Sequence, residues 1–241
     1  MTFKELINNN RRLAWTKKLL RPVSKLLWGV SGEEDWLAKF KKYSGDFQVI
    51  FDIGSSSGWF LSRAHDYFPS ARYYHFEPRV HALNQTRELA AKLNCSSMFF
   101  NVALSAKDSG FKSFYIMDHK DASTLELSNS WVMTKITEVV KVEVRCLDSI
   151  LKNLNLKKID YCKIDVEGHE WALLRGGGHA LKKIIKSVML EISPLRHKSN
   201  SEIVKIFQFL FDCGFYFVDT YSNNFLFTKD KRLLKHYGKK I

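Results

Sequence analysis

The sequence predicts an α/β fold, in which a mostly parallel seven-stranded sheet carries helices on both faces and ends in an antiparallel hairpin. From Gln48 onward, short apolar runs alternate with helix-like segments, which is the pattern of parallel strands joined by crossover helices. Near the end of the chain, two apolar runs flank Ser222-Asn-Asn224, a hairpin-type turn. One core is expected, since 241 residues with 45% hydrophobic content do not need two.

The individual elements follow from apolar periodicity and from the residues that bound each run. Strands are predicted at residues 48–51, 73–77, 97–101, 159–165, 187–192, 215–220 and 225–228. Helices are predicted at residues 59–68, 79–93, 147–154, 170–174 and 201–212. One more helix is indicated ahead of the sheet, because Ser31-Gly-Glu-Glu34 resembles a capping box and Gly45 can end the helix.

Residues 110–146 interrupt this alternation between the third and fourth strands. Apolar and polar residues alternate on both sides of a polar loop at 118–135, so two inserted strands are predicted. The loop is long enough to form a flap on the substrate side of the domain. A plain surface excursion is the alternative.

Residues 1–44 differ in composition from the domain that is predicted to follow at 45–241. They are rich in Lys and Arg, and their apolar residues fall roughly on one helical face, with an interruption at Pro22. One interpretation is a segment that packs its apolar face on the main domain. The other is docking of residues 1–28 on a membrane surface or an anionic partner.

The net charge and the cysteine spacing limit the classes of protein to which this chain can belong. The formal net charge of +13 favours partners or substrates that are anionic. The four cysteines include no Cys-x-x-Cys pair, which argues against a zinc site and against a disulfide framework. The sequence has neither a run of about 18 apolar residues nor a signal-peptide pattern. A cytoplasmic location is therefore expected, with peripheral contact at the inner membrane face if residues 1–28 dock there.

A Gly/Ser-rich turn after the first strand, Asp52-Ile-Gly-Ser-Ser-Ser-Gly58, leads directly into a helix. Its glycines allow a ligand to approach the backbone, and the helix start offers unpaired N–H groups. The pattern is D-x-G-x-x-x-G, whereas a dinucleotide fingerprint is G-x-G-x-x-G. The carboxylate of Asp52 disfavours a phosphate but suits the ammonium and sulfonium of S-adenosylmethionine. Glu77, at the next strand end, can accept hydrogen bonds from both ribose hydroxyls.

A second cluster, Lys163-Ile-Asp-Val-Glu-Gly-His-Glu170, places five ionisable side chains in eight positions at a strand end. Ligands of open α/β sheets bind outside this end of the strands, and crowded charges of this kind indicate a functional site. Asp165 and Glu167 are assigned to function. Lys163 and Glu170 can equally well form structural ion pairs.

These motifs resemble those of the FkbM family of S-adenosylmethionine-dependent methyltransferases. The similarity runs from about Val49 to Thr228, and segment 163–170 is its most specific part. The other matching segments are 51–58, 76–78, 101–105, 122–124 and 146–148. The resemblance implies a class I, Rossmann-like methyltransferase fold and O-methylation of a hydroxyl on a sugar, a glycan or a related small molecule.

The resemblance also implies roles for single residues. The methionine end of the cofactor is assigned to the first turn, the ribose to the end of the second strand, the adenine to the region after the third strand, and the cofactor amine or the substrate to the fourth strand end. In that order, the implied cofactor-binding residues are Asp52, Gly54, Ser55, Ser56, Gly58, Glu77, Pro78, Asn101, Ala103 and Asp165. The family commonly has Ala-Asn where this chain has Ser55 and Ser56, which keep the hydrogen-bonding capacity.

Catalysis requires an aligned hydroxyl oxygen and a base for its proton, because the sulfonium already makes the methyl group electrophilic. The candidates are Asp165, Glu167 and His169. Glu167 is the preferred base because it precedes the turn and should face the pocket, and His169 is the alternative. A magnesium ion would suit the oxygens of Asp165 and Glu167, but these ligands are too few to predict a metal site.

Two other functions remain open at this point. An RNA ribose methyltransferase would use the positive charge directly. Base-methylating enzymes are disfavoured, because the four prolines are never adjacent and a Pro-Cys pair is missing. A non-catalytic binding module would use the fold as a scaffold and the N-terminal segment to dock on membranes or polyanions. The acids at both cofactor strand ends argue against this last function.

Overall fold

The computed structural model describes residues 33–118, 123–125, 127, 135–193 and 199–238. Its helices are α1 Glu33–Ser44, α2 Trp59–Tyr67, α3 Val80–Lys92, α4 Leu147–Leu151, α5 Glu170–Gly176, α6 Gly178–Lys183, α7 Asn200–Asp212 and α8 Lys231–His236. Its strands are β1 Val49–Ile53, β2 Arg72–Phe76, β3 Ser97–Phe100, β4 Ala103–Leu104, β5 Gly110–Met117, β6 Ile136–Arg145, β7 Tyr161–Ile164, β8 Ser187–Glu191, β9 Tyr216–Tyr221 and β10 Asn224–Thr228. The amphipathic segment predicted before residue 33 lies outside the described residues.

The main sheet has seven strands in the order β3-β2-β1-β7-β8-β10-β9. The pairs from β3 to β8 are parallel, and β10 runs antiparallel to both β8 and β9. The predicted fold class is confirmed, including the C-terminal antiparallel hairpin. The strand order changes direction between β1 and β7, and open α/β sheets bind ligands at the carboxyl ends of strands at such a point.

A second, three-stranded sheet stands beside the main one, in the order β4-β6-β5. The long strands β5 and β6 are antiparallel and supply the two inserted strands, with Phe114 opposite Val140. The two-residue strand β4 pairs parallel to β6, with Ala103 opposite Val144. Because β4 follows β3 after only two residues, it ties the inserted sheet to the edge of the main one.

Apolar residues cover both faces of the main sheet, as expected for buried parallel strands. One face packs on helices α4 to α7 through residues that include Leu173, Leu181 and Ile206. The other packs on α1, α2 and α8 through residues that include Trp36, Phe60 and Leu233. No helix among the described residues is long and apolar enough to cross a membrane.

Helix α1 packs into this core, although the sequence analysis grouped its residues with the N-terminal segment. Trp36, Leu37 and Phe40 are fully buried. The indole Nε1 of Trp36 also donates to Oδ2 of Asp219 in β9, at 3.0 Å. Truncation of a buried tryptophan costs about 3–5 kcal/mol, so α1 contributes to the stability of the whole domain.

Candidate active site

A cavity of about 760 Å³ opens at the carboxyl ends of β1, β2 and β7. The turn after β1 forms one side of it, and Glu77 and Pro78 at the end of β2 form another. The strand end at Asp165 and the following turn form its floor, and the inserted sheet and the β9–β10 hairpin contribute the remaining walls. The volume suits a cofactor-sized ligand together with a small part of a second molecule.

Gly54 brings the turn after β1 against the end of β7. Its φ is +77°, and a Cβ at this position would lie 1.7 Å from the backbone oxygen of Asp165. Its N–H donates to the carbonyl of Phe76 at 2.9 Å, which also joins the turn to β2. The close approach leaves room only for glycine. Three strand ends are therefore held within one small region.

The two serines of the turn, Ser55 and Ser56, lie in the cavity wall. The hydroxyl of Ser55 is buried and has no hydrogen-bond partner among the described residues. Gly58, in contrast, is not part of the described wall. It begins helix α2 with φ +88° and faces Thr86 and Leu89 of α3. The absence of a side chain at Gly58 lets α2 start close against α3.

The carboxylate of Asp52 lies near the end of β1, just before the turn that lines the cavity. This carboxylate is completely buried within β1 and does not form part of the described cavity wall. Its Oδ2 lies 3.2 Å from Nδ1 of His75, and its Oδ1 lies 3.8 Å from Nζ of Lys163. In the strand register Asp52 lies opposite His75 of β2 and Lys163 of β7, so the three side chains share one face of the sheet. Lys163 links this carboxylate to the cavity, because it also lies in the cavity wall.

Asp165 and Lys163 form the floor of the cavity. The ammonium of Lys163 donates to Oδ2 of Asp165 at 3.2 Å and to the carbonyl of Gly54 at 2.9 Å. The other carboxylate oxygen of Asp165 is buried and accepts no hydrogen bond from the described residues. A buried carboxylate oxygen of this kind suits a positively charged donor, because such a pair is strongly attractive where water is scarce.

Glu77 is almost fully buried at the end of β2, and its carboxylate lies in the cavity wall. One oxygen accepts from the N–H of Ser56 at 2.9 Å, and the other accepts from the N–H and Nε of Arg79 at 2.9 Å each. The sequence analysis missed Arg79 as a site residue, although it follows Glu77 by two positions. Its guanidinium fixes the orientation of the carboxylate.

The residues assigned to the adenine region divide between two roles. Ala103, in β4, lies in the cavity wall. Asn101 does not line the described wall, and its amide instead donates to the carbonyls of Glu77 and Pro78 at 3.0 Å and 2.9 Å. Asn101 therefore holds the loop that follows Glu77 in place, and any effect on the cofactor is indirect.

The turn after β7 carries the candidate catalytic residues. Glu167 lies in the cavity wall and has φ +56°, a left-handed conformation that is costly for a residue with a Cβ. The carboxyl group of Glu170 accepts from the N–H of Gly168 at 3.1 Å and of Val166 at 3.4 Å. Burial raises the pKa of Glu170 to about 8. Glu170 therefore supports the turn from inside the protein.

His169 is the last residue before helix α5, and it also lies in the cavity wall. It is mostly buried, and its Nε2 lies 2.9 Å from the hydroxyl of Ser105. This position differs from the surface location that a residue at a helix start often has. Glu167 and His169 thus reach the same cavity from two sides of one turn.

Trp59 and Arg63 are further wall residues that the sequence analysis did not single out. Trp59 directly follows Gly58 and is 56% exposed. The guanidinium carbon of Arg63, one helical turn later, lies 4.3 Å from the centre of the Trp59 indole ring. The sequence did contain a signal for this site, because a tryptophan directly follows the glycine turn. An aromatic side chain at an exposed helix start is not needed for the core and can indicate a binding surface.

These residues fit S-adenosylmethionine on structural grounds. The partnerless oxygen of Asp165 and hydroxyl of Ser55 offer acceptors for an ammonium, and Glu77 offers a carboxylate for ribose hydroxyls. The same residues do not form a recognisable metal site. The described residues contain no group of three or more His, Cys, Asp or Glu side chains that is arranged to hold one.

Comparison with known proteins adds to this description. The profile of the methyltransferase FkbM domain matches residues 52–217. The 2-O-methyltransferase NoeI of Sinorhizobium fredii is 29% identical in an alignment 147 residues long, which covers 56% of this chain and 59% of that relative. The chain thus spans less than two thirds of this relative's length. The crystal structure of a methyltransferase FkbM from Methylobacillus flagellatus KT superposes with a TM-score of 0.51 at 11% identity, over 89% of this chain and 60% of the other. That likeness concerns the fold alone.

Proposed function

Because this chain belongs to the FkbM family of methyltransferases, we propose that it transfers the methyl group of S-adenosylmethionine to a hydroxyl of a sugar, a glycan or a related small molecule. The 2-O-methyltransferase NoeI, to which the chain is similar, supports a hydroxyl as the acceptor. One observation carries the proposal. A single cavity brings together Glu77, Asp165 and the turn at Glu167.

The cofactor would lie along the turn after β1. Glu77 would accept hydrogen bonds from the ribose, and Asp165 would accept one from the ammonium of the methionine part. Ala103 and Pro78 would border the adenine, and Ser55 would bind the methionine end. Asp52 would act at a distance, because its negative charge balances Lys163 and leaves Asp165 the acid that the cofactor meets.

The reaction needs little from the protein beyond orientation and one proton transfer. S-adenosylmethionine supplies an electrophilic methyl group on a sulfonium. The cavity would hold the acceptor oxygen in line with that group, and correct alignment is worth about 7–11 kcal/mol. Glu167 would accept the hydroxyl proton as the C–O bond forms and the methyl–sulfur bond breaks. The proton would end on its carboxylate, and the bonding electron pair would stay on sulfur, which becomes a neutral thioether. His169 is the alternative base, since it faces the same cavity.

The acceptor would bind at the outer part of the cavity. Tyr221, Ser222 and Asn224 of the β9–β10 hairpin line it and can exchange hydrogen bonds with sugar hydroxyls. Trp59 presents an exposed aromatic surface at the same cavity, and amphipathic ligands such as sugars can place their C–H faces on such a surface. Polar groups around an aromatic platform favour a sugar over a fully apolar acceptor.

Methyl-tritiated S-adenosylmethionine and a cell extract separated into lipids, glycans, RNA and small molecules provide the test. We expect label in the glycan or small-molecule fraction. Label in the RNA fraction, with binding that weakens steeply as salt is added, would support the ribose methyltransferase instead. Failure to bind S-adenosylmethionine in a calorimetric titration, with the fold intact, would indicate a non-catalytic module.

Single substitutions then test the assigned roles. Glu77→Ala should weaken cofactor binding at least tenfold, because a carboxylate that accepts hydrogen bonds from a ligand is worth more than about 1.4 kcal/mol. Glu167→Gln should lower turnover by about 10²- to 10⁴-fold and leave cofactor binding nearly unchanged. Glu88→Gln, on the exposed face of α3, is the control for both. Full activity of Glu167→Gln would transfer the role of base to His169, and His169→Gln would then be the inactive variant.

A further inference from the structure

The short segment at residues 123–125, between β5 and β6, lies against the turn that carries Glu167. Thr124 is 1% exposed and forms a two-way bridge to Tyr115 of β5, with its N–H donating at 3.0 Å and its carbonyl accepting at 2.9 Å. The hydroxyl of Thr124 also donates to the backbone carbonyl of Glu167 at 3.1 Å. This bond joins the inserted sheet to the candidate catalytic turn across 43 residues of sequence.

The turn itself needs such support. Glu167 and Gly168 both have positive φ, +56° and +94°. A left-handed conformation is costly for a residue that has a Cβ, and it persists only where the surroundings fix it. Two hydrogen bonds do so from opposite sides. Glu170 accepts from the N–H of Gly168, and Thr124 donates to the carbonyl of Glu167. Together they hold both ends of one peptide group.

We propose that Thr124 is a positioning residue for the base of this methyltransferase. By fixing the Glu167–Gly168 peptide, its hydroxyl keeps Glu167 in the conformation that places this residue in the cavity wall. The inference rests on the proposed function, in which Glu167 accepts the proton. It also gives a role to the segment of residues 122–124, one of those in which the sequence resembles the family.

The neighbours of Thr124 connect this support to the acceptor. Ser123 and Leu125, on either side of it, lie in the cavity wall, as does Phe114 of the adjacent strand. The hydroxyl of Ser123 accepts from the N–H of Met117 at 3.4 Å, which fixes the segment on β5 a second time. An acceptor that contacts this wall therefore contacts the same segment that holds the turn of the base.

The experiment compares two substitutions at Thr124 with the parent protein. Thr124→Val keeps the shape and removes the hydroxyl, whereas Thr124→Ser keeps the hydroxyl and removes a methyl group. With methyl-tritiated cofactor and the glycan fraction as acceptor, Thr124→Val should lower kcat about 10- to 100-fold, because small displacements of a catalytic group have effects of this size. Thr124→Ser should stay within about threefold of the parent. Cofactor affinity, measured by calorimetry, should stay within about twofold in both. Thr124→Ala replaces Thr124→Val should the valine variant not fold.

A second readout separates positioning from general structural support. If Thr124 acts through Glu167, the two changes should be non-additive, so that Thr124→Val lowers the residual rate of Glu167→Gln by less than about twofold. A multiplicative loss in the double variant would overturn the inference, as would a fully active Thr124→Val. Full activity of Glu167→Gln would instead overturn the assignment of the base. Absence of label in every fraction would overturn the proposed function itself.

Amide exchange provides a readout without any acceptor. Exchange at Gly168, whose N–H is held by Glu170, should accelerate at least tenfold in Thr124→Val and remain near the parent rate in Thr124→Ser. Equal protection in all three proteins would show that the turn holds its conformation without the hydroxyl, and the inference would then fail.

Discussion

Lys163 and Asp52 face each other on the neighbouring parallel strands β7 and β1, and Nζ of Lys163 lies 3.8 Å from Oδ1 of Asp52. Both side chains are removed from water, Asp52 completely. The same ammonium reaches Asp165 and the carbonyl of Gly54. One buried cation thus joins the hidden acid of β1 to the acid that faces the cavity.

Removal of Asp52 should leave Lys163 as a buried charge with less compensation. Loss of the partner of a buried charge commonly costs about 3–5 kcal/mol, and Asp165 still balances part of the Lys163 charge, so Asp52→Asn should lower the free energy of unfolding by less than this amount. Cofactor affinity should fall as well, because Lys163 would then repel the cationic cofactor. Urea unfolding and calorimetric titration measure the two effects.

Two controls sharpen this prediction. Asp46→Asn changes an exposed aspartate that pairs with Lys41 at the surface, and it should cost less than about 1 kcal/mol. The double variant Asp52→Asn with Lys163→Met should recover part of the lost stability, because it removes the charge that Asp52 no longer balances. A double variant no more stable than Asp52→Asn alone would contradict the pairing argument.

Gly54 and Gly45 offer a matched pair of substitutions. Both have positive φ, +77° and +84°, but a Cβ at Gly54 would lie 1.7 Å from a backbone oxygen, whereas a Cβ at Gly45 would meet nothing within 4 Å. Gly45→Ala should therefore cost only the conformational term, about 1–2 kcal/mol. Gly54→Ala should cost clearly more and should also abolish cofactor binding, because the turn must move away from Asp165. Similar losses of stability in both variants would show that the close approach is not limiting.

The sequence was sufficient to predict the elements whose signals are local. The apolar strands, the Gly/Ser turn and the acids at the strand ends are all encoded within short windows, and the seven-stranded sheet follows from their order. Helix α6 has no such signal, because it begins among three glycines. The carboxylate of Asp148 caps it from another helix, accepting from the N–H groups of His179 and Ala180 at 2.9 Å each. A cap that another helix supplies cannot be recognised from the residues next to α6 in the sequence.

The same distinction applies to the directions of single side chains. Asp52 lies next to the cofactor turn in sequence, but strand alternation directs its side chain toward His75 and Lys163. Asn101 follows β3, and its amide holds the carbonyls beyond Glu77. The motif identified the region in both cases. The direction of each side chain depends on its packing against neighbouring strands, which a single sequence does not record.

The exposed indole of Trp59 should matter for the acceptor and not for the cofactor. Trp59→Ala should raise KM for the labelled glycan acceptor about 3- to 10-fold, which corresponds to about 0.5–1.5 kcal/mol of aromatic contact. Cofactor affinity and stability should change little. Trp59→Tyr keeps an aromatic ring, so its KM for the acceptor should stay close to that of the parent. Phe111→Ala is the control, because Phe111 is 71% exposed on β5 and does not line the described cavity wall. An unchanged KM in Trp59→Ala would remove the aromatic platform from the acceptor site.

Glu170 should make the stability of the domain depend on pH. Burial raises the pKa of its carboxyl group from 4.5 to about 8, against the opposing hydrogen bonds from the backbone. Between these two values the folded protein retains a proton that the unfolded chain releases. The stabilisation is therefore complete below pH 4.5 and is lost as the pH rises toward 8. Glu170→Gln, which stays neutral, should lack this loss.

The comparison is made by urea unfolding of the parent and of Glu170→Gln at several pH values between 5 and 8. As the pH rises, the unfolding free energy of Glu170→Gln should increase relative to that of the parent by up to about 1.4 kcal/mol per pH unit. Other titrating groups are common to both proteins and cancel in the difference. Glu88→Gln, at an exposed position, should run parallel to the parent throughout. Parallel curves for Glu170→Gln as well would mean that Glu170 is already ionised in the folded protein, held by the N–H groups of Val166 and Gly168.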